Sequence, residues 1–416
     1  MFSIYSFIYT LIIFFLFTPQ YLKRPIELRR KWIRGKLGSL PEMDGSFWVH
    51  AVSVGEVNAA IQLLRRLRRQ YPDVPVVLST ITDTGQKVAS DKVPEGVSVV
   101  YLPFDISWIL ERSFRRVKPR MLIVLETELW PNIFRLSHKR NIPVIILNGR
   151  ISEKSSRGYK KISFFMKKVF SYVTVFSMQS RLDAERLKVL GADEEKVRVS
   201  GNFKFDMEMS GEMPAWTAAI AGPVIVAGST HRGEEELVLS AYLDNIGKFP
   251  ELKLILAPRH PERFREVADL LREKKIPFVR RSELGACGIE GKPFSEKVLL
   301  LDSVGELSSV YGMADIAVIG KSFLGIGGQN PLESAFWGKP ILCGQHMENF
   351  PFMQEFYDEG AAFEVGLTSL AKKIGTLLVN PDLARTAGEK AKALYASKSG
   401  AVEKALTIIE KYAHLH

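Results

Sequence analysis

Short apolar runs alternate with amphipathic stretches along nearly the whole chain. The runs are FWVHAV, VPVVLSTI, VSVVYLPF, MLIVLE, IPVIILN, VTVFSM and VRVSG in the first half, and VIVAGS, LKLILAP, IPFVRR, VLLLDS, IAVIGKS and PILCGQ in the second. Runs of this length are typical of buried parallel strands, and the stretches between them have helical length. The pattern therefore predicts an α/β protein with two doubly wound domains.

Interruptions of this pattern set the predicted domain boundaries. Residues 203–222 contain two glycines and one proline and lack a strong periodic pattern, which indicates a linker. Amphipathic segments near 367–378 and 400–412 follow the last strands. The predicted organisation is an anchor at 1–22, a first Rossmann-like domain at 23–205, a linker at 206–222, a second Rossmann-like domain at 223–395, and a C-terminal helix at 396–416 able to pack back on the domain junction.

The N-terminal segment is predicted to be a membrane element. The first 22 residues carry no charge, and residues 2–17 are broken only by Ser3, Ser6 and Thr10. At ~1.5 Å per residue, 18 helical residues reach ~27 Å against a hydrocarbon core of ~30 Å, so spanning and shallow embedding are both open. A secretory signal is the competing interpretation, but a basic n-region and a small-residue cleavage site are missing.

The distribution of charge suggests which surface the protein meets. Seven Lys/Arg and a single acid, Glu27, occur between residues 23 and 36, which predicts a cytoplasmic position for the body of the protein. Residues 1–200 hold 33 Lys/Arg and 18 Asp/Glu (net +15), whereas residues 201–416 hold 24 and 28 (net −4). A basic half beside an anchor favours anionic lipid or a phosphorylated lipid substrate. Nucleic acid is the weaker alternative, because the basic clusters are not interleaved with aromatic residues.

Composition adds little that is specific. A chain of 416 residues with 46% apolar and 25% charged residues is expected to form two domains with ordinary cores. The two cysteines, Cys287 and Cys343, lie far apart and outside any CxxC or Cys/His cluster. Neither a disulfide framework nor a zinc site is indicated, and a reducing cytoplasmic setting fits.

The segment FWVHAVSVGEVNAA carries the first candidate for chemistry. An apolar strand ends in a Ser-Val-Gly turn, and a helix follows with Glu56 near its N-terminal end. In a parallel sheet that end faces the ligand crevice, where a carboxylate can act as a general base. The alternative is an acid that only complements the helix dipole, an effect typically worth ~0.3–1 kcal/mol.

Two further residues of the first half could join it. Glu126 stands at the end of the strand MLIVLE, before Glu128, Trp130 and Asn132. Lys204 lies in GNFKFD, where a cation could neutralise charge developing on a leaving phosphate. A helix cap or surface ion pair for Glu126, and a solvated lysine for Lys204, are the alternatives.

The second half carries motifs suited to an anionic ligand. Residues 228–230 (GST) follow a strand and precede a helix, so their backbone N–H groups suit an anion. Pro258 and Arg259 end the next strand, where Arg259 could fork onto a phosphate or instead pair with Glu262.

Two later turns strengthen the case for a nucleotide. One is Ser303 to Glu306, and the other is a glycine-rich loop that ends at Asn330, Pro331 and Glu333, an acid able to hold ribose hydroxyls. The GxGxxG spacing of a dinucleotide site is absent after any first strand, and no Walker loop or DxD pair occurs. A transfer without metal or cofactor, relying on Lys, Arg and helix dipoles, is the preferred interpretation.

Seven motifs together carry a family resemblance. HAVSVGE, ETELWPN, GNFKFD, STHRGEE, PRHPERF, VGEL and GGQNPLES occur in this order behind the apolar N-terminus. In this set the chain closely resembles the WaaA/KdtA family, the 3-deoxy-D-manno-octulosonic acid (Kdo) transferases of lipopolysaccharide assembly. The resemblance covers essentially the whole chain.

The resemblance implies a GT-B fold, in which two Rossmann-like domains face a cleft. It also implies inverting transfer of Kdo from CMP-Kdo to a lipid A precursor of the lipid IVA type at the inner face of the cytoplasmic membrane. The first domain would take the acceptor and the second the nucleotide, with Glu56 as general base and Glu126 and Lys204 supporting the transition state. The positions matching CMP-contacting motifs are Pro258, Arg259, Val304, Gly305, Glu306, Asn330, Pro331, Leu332 and Glu333.

Small departures from the family pattern concern nucleotide contacts. Where this chain has Val304, Gln329 and Ser334, the family commonly has Met, His, and Pro or Ala. Two rival functions are kept: a GT-B transferase for a different sugar nucleotide, and a catalytically silent, membrane-tethered protein that binds glycolipids. Retention of Glu56, Glu126 and Lys204 argues against the silent form.

Overall fold

The computed structural model describes residues 2–284 and 297–413. The chain divides into two compact units, Met1–Met207 with Lys398–His416, and Glu208–Ser397. Each unit is built on one seven-stranded parallel sheet.

The first unit alternates strands with helices. Its strands are β1 Ser46–His50, β2 Val76–Thr80, β3 Val97–Tyr101, β4 Pro119–Leu125, β5 Val144–Gly149, β6 Val175–Met178 and β7 Val197–Val199. Its helices are α1 Phe2–Leu22, α2 Ile26–Lys36, α3 Val54–Gln70, α4 Asp83–Lys92, α5 Ser107–Val117, α6 Pro131–Lys139, α7 Glu153–Lys160, α8 Ser163–Ser171 and α9 Arg181–Val189. The strand order is β3-β2-β1-β4-β5-β6-β7, so the chain reverses its direction of travel across the sheet between β1 and β4.

The second unit repeats this plan. Its strands are β8 Val224–Thr230, β9 Lys253–Pro258, β10 Phe278–Arg280, β11 Val298–Leu300, β12 Ile316–Ile319, β13 Ile341–Cys343 and β14 Ala362–Glu364. Its helices are α10 Glu234–Ile246, α11 Phe264–Glu273, α12 Leu307–Val310, α13 Leu332–Phe336, α14 Met353–Asp358, α15 Leu370–Val379 and α16 Pro381–Lys398. The strand order is β10-β11-β9-β8-β12-β13-β14, with the reversal between β8 and β12.

Short 3₁₀ turns complete the described elements. They are Glu194–Lys196, Phe203–Asp206, Ala215–Ala219, Pro261–Arg263, Arg281–Glu283, Tyr311–Met313 and Leu367–Ser369. The last helix, α17 Ala401–Ala413, belongs to the first unit.

Both faces of each sheet are covered, which explains the continuous apolar runs in the sequence. In β1, Trp48 points into one core layer, while Phe47 and Val49 point into the layer beneath α3. Helix α17 packs Val402 and Ile409 into that second layer.

A side-chain cap holds α17 on the first unit. The Asp206 carboxylate accepts N–H bonds from Gly400 (2.5 Å) and Val402 (2.6 Å) at the start of the helix. Because a carboxylate at a helix N-terminus satisfies otherwise unpaired N–H groups, Asp206 fixes where α17 begins.

The predicted α/β fold class is confirmed, and each predicted apolar run coincides with one of the strands β1–β13. The two predicted C-terminal helices correspond to α15 and α17. Strand β14 and helix α16 were not predicted. Of the described helices, α1 is long and apolar enough to cross a membrane. Cys343 is buried as a free thiol, and Cys287 lies outside the described residues.

Candidate functional site

The reversal point of the first sheet brings two candidate acids to one edge. Glu56 follows β1 and Glu126 follows β4, and these strands are direct neighbours. Loops that leave the carboxyl ends of two strands at such a point form the usual ligand crevice of an open α/β sheet. The topology thus explains why residues 70 positions apart in sequence meet.

Glu56 is held in a defined orientation on the first turn of α3. One carboxylate oxygen, Oε2, accepts the Val52 N–H at 2.8 Å, and Oε1 accepts the Ser53 hydroxyl at 2.9 Å. The side chain is 7% exposed. Burial raises its pKa to about 7, and the charges of Glu126 and Glu128 add to this effect, while the two hydrogen bonds oppose it. Glu56 can therefore accept a proton near neutral pH.

Glu126 occupies a strained position beside two cations. Its φ of 55° lies in the left-handed region, which is uncommon for a residue with a side chain and recurs at functional sites. Burial raises the pKa of its carboxyl, and the charges of Lys204 and Arg150 partly offset this rise. The pKa of Lys204 is in turn lowered by burial and raised by Glu126. Glu126 therefore lies within electrostatic reach of both other predicted catalytic residues, Glu56 and Lys204.

Lys204 is fixed by the 3₁₀ turn that contains it. The Asn202 side chain accepts the Lys204 N–H at 3.0 Å, and Asn148 at the end of β5 accepts the Phe203 N–H at 3.0 Å. Phe203 and Phe205 are buried on either side of the lysine. The motif GNFKFD thus uses its apolar residues to lock the turn and leaves Lys204 half-buried.

The reversal point of the second sheet lies between β8 and β12. Gly228 and Ser229 are at the end of β8, and a Cβ added at Gly228 would lie 1.9 Å from the Tyr311 hydroxyl. Ser229 has a φ of 56°. The backbone at this point is therefore tightly enclosed and strained, and any side chain at position 228 would have to displace Tyr311.

Glu234 fastens the loops of that edge to each other. Its fully buried carboxylate accepts backbone N–H groups from His231 (2.9 Å) after β8 and from Lys321 (2.6 Å) and Phe323 (3.0 Å) after β12. The next residue, Glu235, forks onto Arg263 at 2.7 and 3.1 Å. The pair thereby links the ends of β8, β9 and β12.

Arg259 and Glu333 form part of this edge. Arg259 is exposed after β9, and Glu333 lies in the first turn of α13. Burial raises the pKa of Glu333, while a hydrogen bond with Asn330 and the charge of Arg259 lower it. Glu262 lies near His260 (Nδ1–Oε1 3.8 Å), so the sequence alternative of an Arg259–Glu262 pair is not what the described side chains form.

The remaining predicted residues occupy the loop after β11 and the start of α13. Glu306 is engaged by Arg281, with Nε–Oε2 and Nη2–Oε1 distances of 3.0 Å, and by the Trp216 indole N–H at 3.2 Å. Val304 is 78% exposed, and Gly305 has a φ of 96°. Pro258 ends β9, and the other predicted positions, Asn330, Pro331 and Leu332, lead into α13. Glu306 thus orders its loop, while Val304 and the Gly305 backbone face outward.

Several residues of the site were missed from sequence. Arg150, directly after β5, acts on both Glu126 and Lys204. His231 lies with its Nε2 3.1 Å from the amide nitrogen of Gln329 and its ring 5.2 Å from that of His260. Arg150 could have been found by its strand-end position, since it follows IPVIILNG. Among the described residues, no cluster of three or more His, Cys, Asp or Glu side chains could hold a metal ion.

Proteins named as Kdo transferases are similar in sequence to this chain over most of its length. Residues 27–207 match the family of 3-deoxy-D-manno-octulosonic-acid transferases (kdotransferases). The 3-deoxy-D-manno-octulosonic acid transferase of Haemophilus influenzae is 34% identical over 404 residues, which cover 95% of this chain and 92% of that protein. The transferase of the same name from Bordetella pertussis is 30% identical, with 88% and 87% covered.

Solved structures resemble the fold at lower identity. A UDP-GlcNAc 2-epimerase from Neisseria meningitidis superposes with a TM-score of 0.58 at 12% identity, covering 88% of this chain and all of that one. A glycosyltransferase from Rickettsia africae superposes with a TM-score of 0.56 at 14% identity, covering 89% and 99%. These likenesses confirm the GT-B class of fold. The sequence relatives show that this chain is an enzyme, a glycosyltransferase that belongs to the 3-deoxy-D-manno-octulosonic acid (Kdo) transferase family.

Proposed function

We propose that the chain transfers Kdo from CMP-Kdo to a lipid A precursor, with Glu56 as the general base. The observation that carries this proposal is the state of Glu56: a buried, hydrogen-bonded carboxyl at the reversal point of the first sheet with a pKa of about 7. General bases work best when their pKa lies near the operating pH, because they are then deprotonated and still basic.

In this mechanism an acceptor hydroxyl attacks the anomeric carbon of Kdo. Glu56 takes the hydroxyl proton, the new C–O bond forms, and the bond to the CMP phosphate breaks with its electron pair leaving on CMP. A single displacement of this kind inverts the anomeric configuration. Lys204 and Arg150 offset the negative charge of Glu126, and a cation of this kind also stabilises charge that develops in the transition state.

The second unit is proposed to take the nucleotide at the edge that Glu234 fastens. The exposed Arg259 guanidinium suits a phosphate oxygen pair, and Glu333 suits ribose hydroxyls. The predicted contacts at Pro258, at 304–306 and at 330–332 belong to the same proposal. We further propose that the charge of the leaving phosphate is stabilised by these side chains and backbone N–H groups, without a metal ion.

The acceptor is proposed to be an anionic lipid reached at the cytoplasmic membrane. Support comes from the apolar helix α1 and from the net charge of +15 over residues 1–200. A phosphorylated disaccharide with acyl chains fits both features. Its phosphates complement the positive charge of this half, and its acyl chains place it in the membrane that α1 would contact.

The test is incubation of the full-length protein with CMP-Kdo and a tetraacylated disaccharide bisphosphate, with CMP release and product mass both recorded. The proposal expects CMP release that depends on acceptor and a product heavier by one or more Kdo residues. Parallel incubations with UDP-sugars and with a dephosphorylated acceptor test the rival donor and the role of phosphate. Acceptor binding without any CMP release would overturn the proposal.

A further inference from the structure

Helix α1 has two faces of different character. One face follows a spacing of three or four residues and contacts the rest of the first unit. Its members are Phe2, Tyr5, Ser6, Tyr9, Ile13, Phe17 and Tyr21. The other face is exposed and apolar, with side chains 45–74% accessible: Ile4, Phe7, Ile8, Leu11, Ile12, Phe14, Phe15 and Leu16. A bare apolar face of this size is typical of a surface that meets another apolar phase.

The first half of α1 is fixed by aromatic and polar contacts. The Phe2 ring lies 5.4 Å from Phe165. The Tyr5 hydroxyl donates to Oδ2 of the buried Asp105 at 2.9 Å, and the Asn132 amide donates to the Ser6 hydroxyl at 2.9 Å. Asp105 also accepts the Asn132 N–H, so this half of the helix is joined to the start of α6.

The second half of α1 packs on α2 and on the segment that follows β3. The Phe17 ring lies 5.5 Å from Trp32 and 6.4 Å from Phe104, and the Tyr21 ring lies 6.3 Å from Trp32. The contacts therefore run from the first turn to the last, over about 30 Å of helix. Helix α1 lies along the first unit rather than projecting from it.

A membrane-spanning orientation would break these contacts. Lipid would have to surround the helix, so the contact face would leave the protein and Tyr5, Ser6 and Tyr9 would enter hydrocarbon. Asp105 would lose its hydroxyl donor, and removing the partner of a buried carboxylate is unfavourable. The packing thus opposes the orientation that length and hydropathy alone permit.

Exposed cations flank both ends of the helix. Lys23, Arg30 and Arg34 follow its C-terminal end. Near its N-terminal end, the α7–α8 region presents Lys160, Lys161 and Lys167. A helix that spans a membrane carries its excess of cations at one end. A helix that lies on an anionic surface can contact that surface with cations at both of its ends.

Two exposed apolar residues extend the same surface. Ile162 and Phe164 are 50% and 76% exposed next to Phe165, whose ring contacts Phe2. Apolar side chains between lysines are the usual composition of a segment that inserts among lipid headgroups.

From these observations we propose that α1 lies in the plane of one leaflet of an anionic phospholipid bilayer. Its outward face enters the acyl boundary, and Ile162 and Phe164 form a second insertion point. This proposal rests on the membrane association proposed above and specifies its geometry. The cations at both ends contact lipid phosphates, and the first unit is held against the membrane along the whole helix.

The depth of α1 can be measured with a fluorophore attached at single cysteines replacing Ile4, Leu11 or Phe15, in a full-length Cys287→Ser, Cys343→Ser background that retains transferase activity. The bilayer is a vesicle of 30% phosphatidylglycerol and 70% phosphatidylcholine with spin-labelled lipids at known depths. An in-plane helix gives the same shallow depth at all three positions. Leu11 and Phe15 both markedly deeper than Ile4, as a spanning helix centred near residue 12 requires, would overturn the proposal.

A second measurement needs no cysteine substitutions. Phe164→Glu is expected to weaken binding of the protein to the same vesicles, measured by sedimentation, on the order of tenfold. The substitution removes an apolar side chain from the insertion point and places a negative charge there. The control is Val189→Glu. The Val189 side chain is 65% exposed, and its helix, α9, packs against β6 and β7. Equal binding of both variants and wild type would refute the in-plane surface, whereas no binding of the wild type would refute membrane association itself.

Discussion

Replacing Glu56 by glutamine is predicted to make the protein more stable and nearly inactive. Glutamine keeps the size of the side chain and can accept the Val52 N–H, and its amide can donate to the Ser53 hydroxyl, which rotates. What disappears is a charge in a desolvated position. Stability and activity therefore move in opposite directions, which a general loss of folding cannot imitate.

The magnitude follows from the pKa of the Glu56 carboxyl. Burial raises it from its usual 4.5 to about 7, a difference that corresponds to roughly 3 kcal/mol favouring the protonated form in the folded protein. Below pH 4.5 the carboxyl is protonated in both states and no penalty exists. Between pH 4.5 and 7 the unfolded chain binds fewer protons, so the penalty grows, and above pH 7 it is complete. Replacing Glu56 by glutamine removes this cost of holding a charged carboxylate in a buried position.

The assay compares thermal or urea unfolding of wild type and Glu56→Gln from pH 4.5 to 8. At pH 8 the variant is expected to gain up to roughly 3 kcal/mol, or about 6–12 °C for a unit of this size, and the gain should vanish near pH 4.5. Its turnover should fall by about 10²- to 10⁴-fold. Glu153→Gln, at an exposed first-turn acid of α7, is the control and should change neither quantity appreciably. Wild-type turnover would refute the base, and a pH-independent change in stability would refute the raised pKa.

Three further predictions concern the supports of the two edges. Glu234→Ala should lower the free energy of unfolding of the second unit by more than about 3 kcal/mol, because several buried N–H groups lose their acceptor, and a small change in urea unfolding would contradict this. Gly228→Ala should weaken CMP binding measured by calorimetry, and adding Tyr311→Phe should restore part of it, since the Tyr311 hydroxyl is the atom nearest the new methyl group. Lys204→Met should raise the pKa of Glu126 and, because Glu126 then carries less charge, lower the pKa of Glu56, so the acidic limb of the pH–rate profile should move to lower pH, and an unmoved profile would argue against the coupling.

Much of the fold could be predicted because its strands are buried on both faces and therefore appear as uninterrupted apolar runs. Helix α16 could not, because the residues it buries are small: Ala387, Gly388 and Ala391 give no hydrophobic stripe in a segment rich in lysine and alanine.

Some residues of the candidate site could likewise be predicted from the sequence, and others could not. Glu56 could be predicted because a strand, a turn and a helix start are visible in consecutive residues. Glu234 and Glu235 look like ordinary acids of a first helical turn, and they are buried only because loops from β9 and β12 close over them. The left-handed backbone of Glu126 and Ser229 depends on tertiary contacts and leaves no sequence signal.

The electrostatics of the first edge explain why its acids are collected there. An exposed carboxylate is a weak base at neutral pH, because its ordinary pKa lies well below 7. Burial of Glu56 makes it a stronger base, and the neighbouring charges of Glu126 and Glu128 act in the same direction. Lys204 and Arg150 act on Glu126 and limit its own rise in pKa, so Glu126 keeps more of the charge that strengthens Glu56. The two cations therefore support basicity at Glu56 indirectly, through Glu126, and removing either should weaken the base.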